Sequence, residues 1–184
     1  MYVSGLFSGR PDKGSRIAIE EKCYDLLDSL GIAYTRVDHD RAATMEALAE
    51  AEGVLGCGVA KNLFLANRQQ TDFYLLIMPG SKPFKTKYLS AQLGCSRLSF
   101  ASGEQLGDIL GVESGCASAL ALMNDPAGKV RLVLDRDILA ADKFACHPCI
   151  NSSTLAFDTA ALRDILIPAL GHEASWVELP IDPE

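Results

Sequence analysis

The chain has 184 residues, of which 48% are hydrophobic and 22% are charged. This length and composition are typical of one globular domain and do not favour disorder. The net charge of −7 argues against a non-specific binder of duplex nucleic acid, which needs a broad basic face, but it leaves contact with one end of an RNA open. The uninterrupted apolar stretches fall short of the roughly 18 residues that a membrane-spanning helix needs.

The N-terminal segment contains Arg10, Pro11 and Lys13 but neither the apolar core nor the cleavage site of an export signal. We predict that residues 1–14 form a loosely held, flexible arm and that a single domain spans residues 15–184. Since export is not indicated, the six cysteines are predicted to be buried free thiols in a cytoplasmic protein.

Apolar periodicity and Gly or Pro breaks divide the chain into predicted elements. The first half is predicted to contain, in order, a helix over residues 15–30 that Gly31 ends, a strand over 32–37, a helix from Thr44 to about Glu52, strands over 61–66 and 72–78, and a helix over 85–93. The second half is predicted to contain a strand over 97–100, a helix over 102–110, strands over 119–123, 129–134 and 154–157, a helix over 158–170 and a strand over 175–179.

Two local patterns support these assignments. Ser102 and Gln105 have the spacing of a helix capping box. Residues 124–128, Asn-Asp-Pro-Ala-Gly, predict a turn between two strands. Because strands and helices are interspersed and several links have hairpin length, we predict an α+β fold, a single domain with a mixed, largely antiparallel sheet and flanking helices.

The sequence lacks the motifs of common cofactor enzymes. It contains no Walker sequence, no dinucleotide-binding fingerprint and no Gly-x-Ser-x-Gly elbow. Histidine occurs only at His39, His147 and His172, which limits both imidazole catalysis and metal binding. We therefore predict neither a cofactor nor a metal site.

Cys146 and Cys149 form a Cys-x-x-Cys motif, which can serve redox chemistry or zinc binding. The residues after the motif favour a strand or turn rather than the helix that would lower the pKa of the first thiol. A second pair of zinc ligands is not evident. A redox or zinc protein stays open as a weakly supported alternative.

Three polar side chains are candidate ligand contacts, and each has an ordinary structural interpretation. Lys61 opens an apolar strand, where it can extend to solvent or present a cation to a phosphate or an ester carbonyl. His147 and Asn151 can hydrogen-bond a substrate hydroxyl or carbonyl. They can equally be a structural histidine and a turn residue, which the sequence alone favours.

Two segments are further candidates. The only dense basic stretch contains Lys82, Lys85 and Lys87, interleaved with Phe84 and followed by Tyr88. This composition suits a nucleic-acid backbone and its bases but also a solvated helix face. A second segment, residues 111–119, is rich in small residues that let backbone N–H groups approach a ligand. It can also be no more than a tight connection.

Taken in chain order, these segments resemble the family of YbaK proteins and prolyl-tRNA synthetase insertion domains. The resemblance covers the chain from about residue 18 to 180 and is nearest to the alanine-editing branch. It is carried by residues 30–32, 38–39, 61–65, 89–94, 110–125, 146–148, 151–154 and 171–172.

The resemblance implies an editing domain that hydrolyses the ester between proline tRNA and a small mischarged amino acid, alanine above all. It implies that Lys61 engages the terminal adenylate or its ester, that backbone amides near Gly115 face the carbonyl, and that His147 and Asn151 shape the amino-acid pocket. The other residues that it assigns to substrate binding are Cys116, Ser118, Ala119, Lys82 and Lys85.

The implied partner is the acceptor end of a mischarged tRNA, with prolyl-tRNA synthetase as a candidate protein partner and with neither DNA nor a membrane involved. Two alternatives stay open. One is a deacylase for cysteine or another small amino acid on tRNA. The other is a module that binds tRNA or a synthetase without turnover.

Two positions depart from the family pattern. Ala119 stands where the family's loop usually ends in proline, whose ring would fix the backbone dihedral φ. We expect a looser pocket floor as a result. Cys146 stands where the family often has an aromatic residue.

Overall fold

The structure is a computed structural model that describes residues 2–41 and 48–181. Its strands are β1 Phe7–Ser8, β2 Tyr34–Asp38, β3 Lys61–Ala66, β4 Phe73–Met78, β5 Ser99–Phe100, β6 Val130–Asp135, β7 Lys143–Cys146, β8 Ser153–Asp158 and β9 Ala174–Val177. Its helices are α1 Ala18–Ser29, α2 Ala49–Leu55, α3 Thr86–Leu93, α4 Gly103–Leu110, the 3₁₀ helices Ala119–Asn124 and Arg136–Ala140, and a C-terminal helical segment made of α5 Thr159–Ala161, the π-helical turn Leu162–Leu166 and α6 Ile167–Leu170.

The strands form two sheets. The four-stranded sheet has the order β1-β2-β8-β7 and is antiparallel throughout. The five-stranded sheet has the order β5-β3-β4-β6-β9, in which β3 runs antiparallel to β5 and β4 while β4, β6 and β9 are parallel neighbours. The predicted α+β class with mixed, largely antiparallel pairing is confirmed, although the strands are divided between two sheets.

The main core joins the two sheets. Side chains from the five-stranded sheet, such as Ile77, and from the four-stranded sheet, such as Phe157, belong to one buried cluster with Tyr24 of α1 and Leu110 of α4. A second cluster covers the other face of the five-stranded sheet, where α3 packs through Leu89. Because successive strand residues point to opposite faces, β3 and β4 contribute to both clusters.

Several predicted elements are confirmed. Strands β3 and β4 pair antiparallel as a hairpin, with Lys61 opposite Met78. At the start of α4, Ser102 Oγ accepts a hydrogen bond from the Gln105 N–H at 3.1 Å, and the Gln105 side chain accepts one from the Ser102 N–H at 2.9 Å. Helix α3 ends at Gly94, whose φ is 62°.

The strand predicted over residues 119–123 is wrong, because Ala119–Asn124 is a 3₁₀ helix. Its first four residues are all buried, so the segment shows no alternation that would distinguish a strand from a helix. The predicted cap Thr44 lies outside the described residues, and α2 continues through Gly53 to Leu55. Strand β7 was not predicted.

The N-terminal segment contributes β1, which pairs with β2. Arg10 Nη1 donates to Asp25 at 2.7 Å and to Asp28 at 3.3 Å on α1. The flexibility of the arm and the boundary at residue 14 stay predictions. All six cysteines are free thiols, but Cys57 and Cys95 are only half-buried, so the prediction that all six are buried is wrong for these two. Within residues 2–41 and 48–181, the structure contains no helix with the length and apolar character of a membrane span.

Candidate active site

A cavity of about 430 Å³ lies beside the N-terminal half of β3. Four of the predicted site residues line it, namely Lys61, Gly115, His147 and Asn151. They come from β3, from the loop before the 3₁₀ helix Ala119–Asn124 and from the connection between β7 and β8. Elements of both sheets therefore form the cavity. Much of the remaining wall is apolar.

Lys61 is held in place by the loop that follows β4. Its Nζ donates a hydrogen bond to the carbonyl oxygen of Lys82 at 2.6 Å. This bond ties the flexible lysine stem to a fixed point at the end of β3. A cation with a restricted position can meet a substrate phosphate or ester oxygen with little further loss of side-chain entropy.

Lys82 lies apart from the cavity lining and serves as an internal cation. Its ammonium donates to Asp135 and to Asp137, each at 2.7 Å, and its side chain is buried. Burial lowers the pKa of Lys82, but the two carboxylates outweigh it and hold the pKa above its usual value. The buried Lys82 side chain therefore helps to fix the carbonyl that holds Lys61, and its direct contact with the tRNA stays a prediction.

His147 is a neutral imidazole with a defined tautomer. Its Nδ1 lies 2.8 Å from the carbonyl oxygen of Ser153, which can only accept, so Nδ1 carries the proton and Nε2 is left as an acceptor. Burial lowers the pKa of His147 to about 4, a nearby His39 adds to this lowering, and the Ser153 carbonyl opposes it. His147 can therefore accept a hydrogen bond in the cavity at neutral pH.

A hydroxyl connects the two histidines behind the cavity. Thr154 Oγ1 lies 2.8 Å from His39 Nε2 and 3.4 Å from His147 Nδ1, and the ring centroids are 5.9 Å apart. His39 Nδ1 lies 2.7 Å from the Asp40 carbonyl oxygen, which fixes the same tautomer as in His147. His39 therefore belongs to the framework that orients the cavity histidine.

The loop that carries Gly115 is attached to β3 by Asn62, a residue that was not predicted. Asn62 lines the cavity, and its Oδ1 accepts the backbone N–H of Ala119 at 2.9 Å. Proline has no N–H. Because alanine stands here instead of the family's usual proline, its N–H is available for this hydrogen bond. The bond restrains the pocket floor, which we expected to be looser without proline. Gly115 has a φ of 82°, a left-handed conformation that favours glycine.

Three predicted binding residues lie behind the cavity wall. Ser118 is buried, and its Oγ donates to the His147 carbonyl at 2.6 Å and accepts the Leu120 N–H at 3.2 Å. Cys116 is buried in the main core, and Ala119 is buried as well. Their positions indicate that they support the loop and His147, while direct contact of these residues with substrate stays a prediction.

The Cys-x-x-Cys motif is buried. Burial raises the pKa of Cys146 to about 12, which disfavours the reactive thiolate at neutral pH. Cys149 is also buried and has a φ of 59°. In the part of the chain that the structure describes, no three His, Cys, Asp or Glu side chains are grouped to hold a metal ion.

Lys85 lines a second depression, which adjoins the cavity because Phe100 lines both. The sequence did not indicate Phe100 or the neighbouring Arg97 as site residues. An aromatic residue at a strand end close to a basic segment is the signal that could have found them. The predicted basic stretch is thus divided, with Lys82 buried and Lys85 at the surface.

A family model for the aminoacyl-tRNA editing domain matches residues 39–165. The prolyl-tRNA editing protein ProX of Acetoanaerobium sticklandii is 30% identical over 153 residues, which are 83% of this chain and 93% of that protein. Prolyl-tRNA synthetase associated domain-containing protein 1 of Danio rerio is 30% identical over 152 residues, 82% of each chain.

The fold is also similar to a solved structure of a protein proposed to be a trans-editing enzyme for prolyl tRNA synthetase. The TM-score is 0.65 at 16% identity, over 90% of this chain and 100% of that one. At this identity the likeness shows the fold alone. The family match includes every residue that lines the cavity, from Leu48 to Asn151. The chain therefore belongs to the aminoacyl-tRNA editing domain family.

Proposed function

We propose that this protein is an aminoacyl-tRNA deacylase that edits mischarged proline tRNA in trans, with alanine as its preferred amino acid. The observation that carries the proposal is the cavity in which Lys61, Gly115, His147 and Asn151 converge. Relatives named for prolyl-tRNA editing support proline tRNA as the carrier. The acceptor end of the tRNA is the part that enters the cavity.

The reaction needs little covalent chemistry from the protein, because an aminoacyl ester is already activated. Water attacks the ester carbonyl carbon, the bond to the ribose oxygen breaks, and the proton lost by water ends on that oxygen. Positioning the water and stabilising the negative charge that develops on the carbonyl oxygen are sufficient roles for the cavity.

Each cavity residue has a role in this scheme. Lys61 faces the terminal adenylate or its ester oxygen, and backbone amides near Gly115 face the developing oxyanion. His147 Nε2 accepts a hydrogen bond from the attacking water, since its tautomer leaves that nitrogen unprotonated. Asn151 borders the amino-acid end, and the neighbouring ribose hydroxyl of the tRNA assists proton transfer to the leaving oxygen.

Selection against proline rests on exclusion by the cavity wall, which includes Val59, Ala101 and Ala117. Preference for alanine over glycine depends on one methyl group, which is worth only about 1–3 kcal/mol. We therefore expect measurable deacylation of a glycyl ester. The substrate is supplied by a synthetase that mischarges proline tRNA, so prolyl-tRNA synthetase is the candidate protein partner and the cytoplasm is the site of action.

The test is deacylation of proline tRNA charged with alanine, cysteine, serine or proline. We expect the wild type to release alanine fastest and proline at the uncatalysed rate. Equal rates for alanine and proline would contradict exclusion by size, and faster release of cysteine would transfer the assignment to a cysteine deacylase. If none is released above background while the charged tRNA still binds, the protein is a binding module.

A further inference from the structure

A basic groove of about 690 Å³ adjoins the cavity. The residues that define it here are Phe84, Lys85, Lys87, Arg97 and Phe100. Phe100 also lines the cavity, so the two depressions adjoin at this side chain. A ligand whose end occupies the cavity can therefore reach the groove by passing Phe100.

The charge of the groove contrasts with that of the chain. Lys85, Lys87 and Arg97 are exposed, and none of the acidic residues within 2–41 and 48–181 lines the groove. The whole chain carries a net charge of −7, so three cations at one depression form a local site for a polyanion on an otherwise acidic protein. Because Lys85, Lys87 and Arg97 are all exposed, their charges are not needed to pack the fold.

The groove also presents an aromatic surface. Phe100 is 63% exposed, although burying a phenylalanine side chain would stabilise the fold. Its ring meets Phe84 edge to face, with centroids 6.2 Å apart and an interplanar angle of 75°, which restricts its orientation. Aromatic rings beside cations are the usual elements of a single-stranded RNA site, where bases stack and phosphates pair.

We propose that the basic groove binds the single-stranded nucleotides that immediately precede the terminal adenosine of the tRNA. One base stacks on Phe100, and the backbone phosphates lie against Lys85, Lys87 and Arg97. The proposal rests on the proposed function, which places the terminal adenosine and its ester in the cavity. The proposal thus names the part of the tRNA that the groove recognises. These few nucleotides are too short a stretch to need a broad basic face on the protein.

The first test compares a long and a short substrate. We expect Lys87→Ala, Arg97→Ala and Phe100→Leu each to lower kcat/KM on alanyl-tRNA about 5-fold or more, chiefly through KM, as loss of a phosphate contact or a stacked base predicts. On alanyl-adenosine, which lacks the preceding nucleotides, Lys87→Ala and Arg97→Ala should each change kcat/KM less than about 2-fold, because neither residue lines the cavity. Each cation removed should also reduce the slope of log KM against log salt by about 0.7.

Exposed lysines at other places provide matched controls. Lys22→Ala on α1 and Lys129→Ala in the turn before β6 should leave both substrates unaffected. Equal losses on the two substrates would overturn the proposal, because the residues would then serve the cavity. Losses no greater than those of the controls would overturn the proposal too. Losses seen only when a synthetase delivers the tRNA would also overturn it, because the groove would then be a contact site for the synthetase.

A binding measurement separates this proposal from the proposed function. Fluorescence anisotropy of a labelled ACCA tetranucleotide does not depend on turnover. We expect wild-type binding that Phe100→Leu and the double variant Lys87→Ala/Arg97→Ala weaken, even if the wild type deacylates no substrate. If the enzyme is active and binding of ACCA is the same in all variants, the groove assignment is wrong and the deacylase assignment stands.

Discussion

The cavity and the basic groove adjoin at Phe100, but they are built differently. The polar groups of the cavity are held by other protein groups, as Lys61 is by the Lys82 carbonyl and His147 by the Ser153 carbonyl. The cations of the groove are exposed side chains. Preorganised groups suit the site of bond breaking, where reorganisation is costly, whereas exposed surface charges suffice to attract and orient a polyanion.

This difference separates two kinds of substitution. Changes to the residues that hold the cavity groups should lower the free energy of unfolding as well as the rate of the chemical step. Changes in the groove should act on KM and leave the fold unaffected. Four measurements test this separation, from the largest expected effect on stability to the smallest.

Replacing Lys82 should have the largest effect. Lys82→Met removes the cation between Asp135, which is fully buried, and Asp137. Removing one partner of a buried pair leaves an uncompensated charge and costs about 3–5 kcal/mol. Urea denaturation should show this loss, with Lys85→Met as the exposed control. A loss below about 1 kcal/mol would mean that the pair does not hold the loop.

The pH dependence of stability should change at His147. Its pKa is about 4 in the fold and 6.5 for an unperturbed histidine, so the unfolded chain binds the proton more tightly. The contribution of neutral His147 is therefore complete above pH 6.5 and is lost as the pH falls toward 4. Between pH 7 and 4, the wild type should lose roughly 3 kcal/mol more than His147→Gln.

Denaturation curves at several pH values check this expectation. His172→Gln is the matched control, because it removes a second buried histidine, one whose ring hydrogen-bonds to Leu170 and Asp125 and lies outside the cavity lining. If wild type and His147→Gln show parallel profiles down to pH 4, His147 is not held neutral by burial.

The bond between Asn62 and Ala119 should have a smaller effect. Ala119→Pro removes the N–H that donates to Asn62 Oδ1, and leaving this acceptor unpaired lowers the free energy of unfolding by about 1–3 kcal/mol. Proline also reduces the conformational entropy of the unfolded chain, which partly offsets this loss. We expect a net loss of about 1 kcal/mol in urea. In an Asn62→Leu background the same substitution should be neutral or stabilising. Equal losses in both backgrounds would show that the bond contributes nothing.

The groove should have the smallest effect on stability. Lys85→Ala and Lys87→Ala replace exposed side chains, so the free energy of unfolding should stay within about 0.5 kcal/mol of the wild-type value. Thermal denaturation of both variants checks this. A loss comparable to that of Lys82→Met would remove the distinction between the cavity supports and the groove.

Much of the fold could be predicted from local pattern. The β3–β4 hairpin follows from two apolar strands and a polar link, and the capping box at Ser102 depends on residues three apart. The 3₁₀ helix Ala119–Asn124 could not, because a short run of buried apolar residues has no period that separates it from a strand.

The position of a cavity residue was predictable where it follows from a local pattern in the sequence. Lys61 opens β3 in sequence and structure alike. Lys82 belongs to a basic stretch in the sequence, and only folding brings it to Asp135 and Asp137, more than fifty residues along the chain. The bond of Asn62 to the Ala119 N–H depends likewise on a long-range contact that no local pattern records.

The measurement that tests the central claim most directly is single-turnover deacylation of alanyl-tRNA(Pro) by wild type and Lys61→Met, with Lys129→Met as the control for an exposed lysine. The account predicts rapid release of alanine by the wild type and the control, and release slower by about 100-fold or more for Lys61→Met, the scale for losing one group that stabilises the transition state. Equal rates for all three proteins, or no release by any of them, would contradict the assignment of the cavity as the site of hydrolysis.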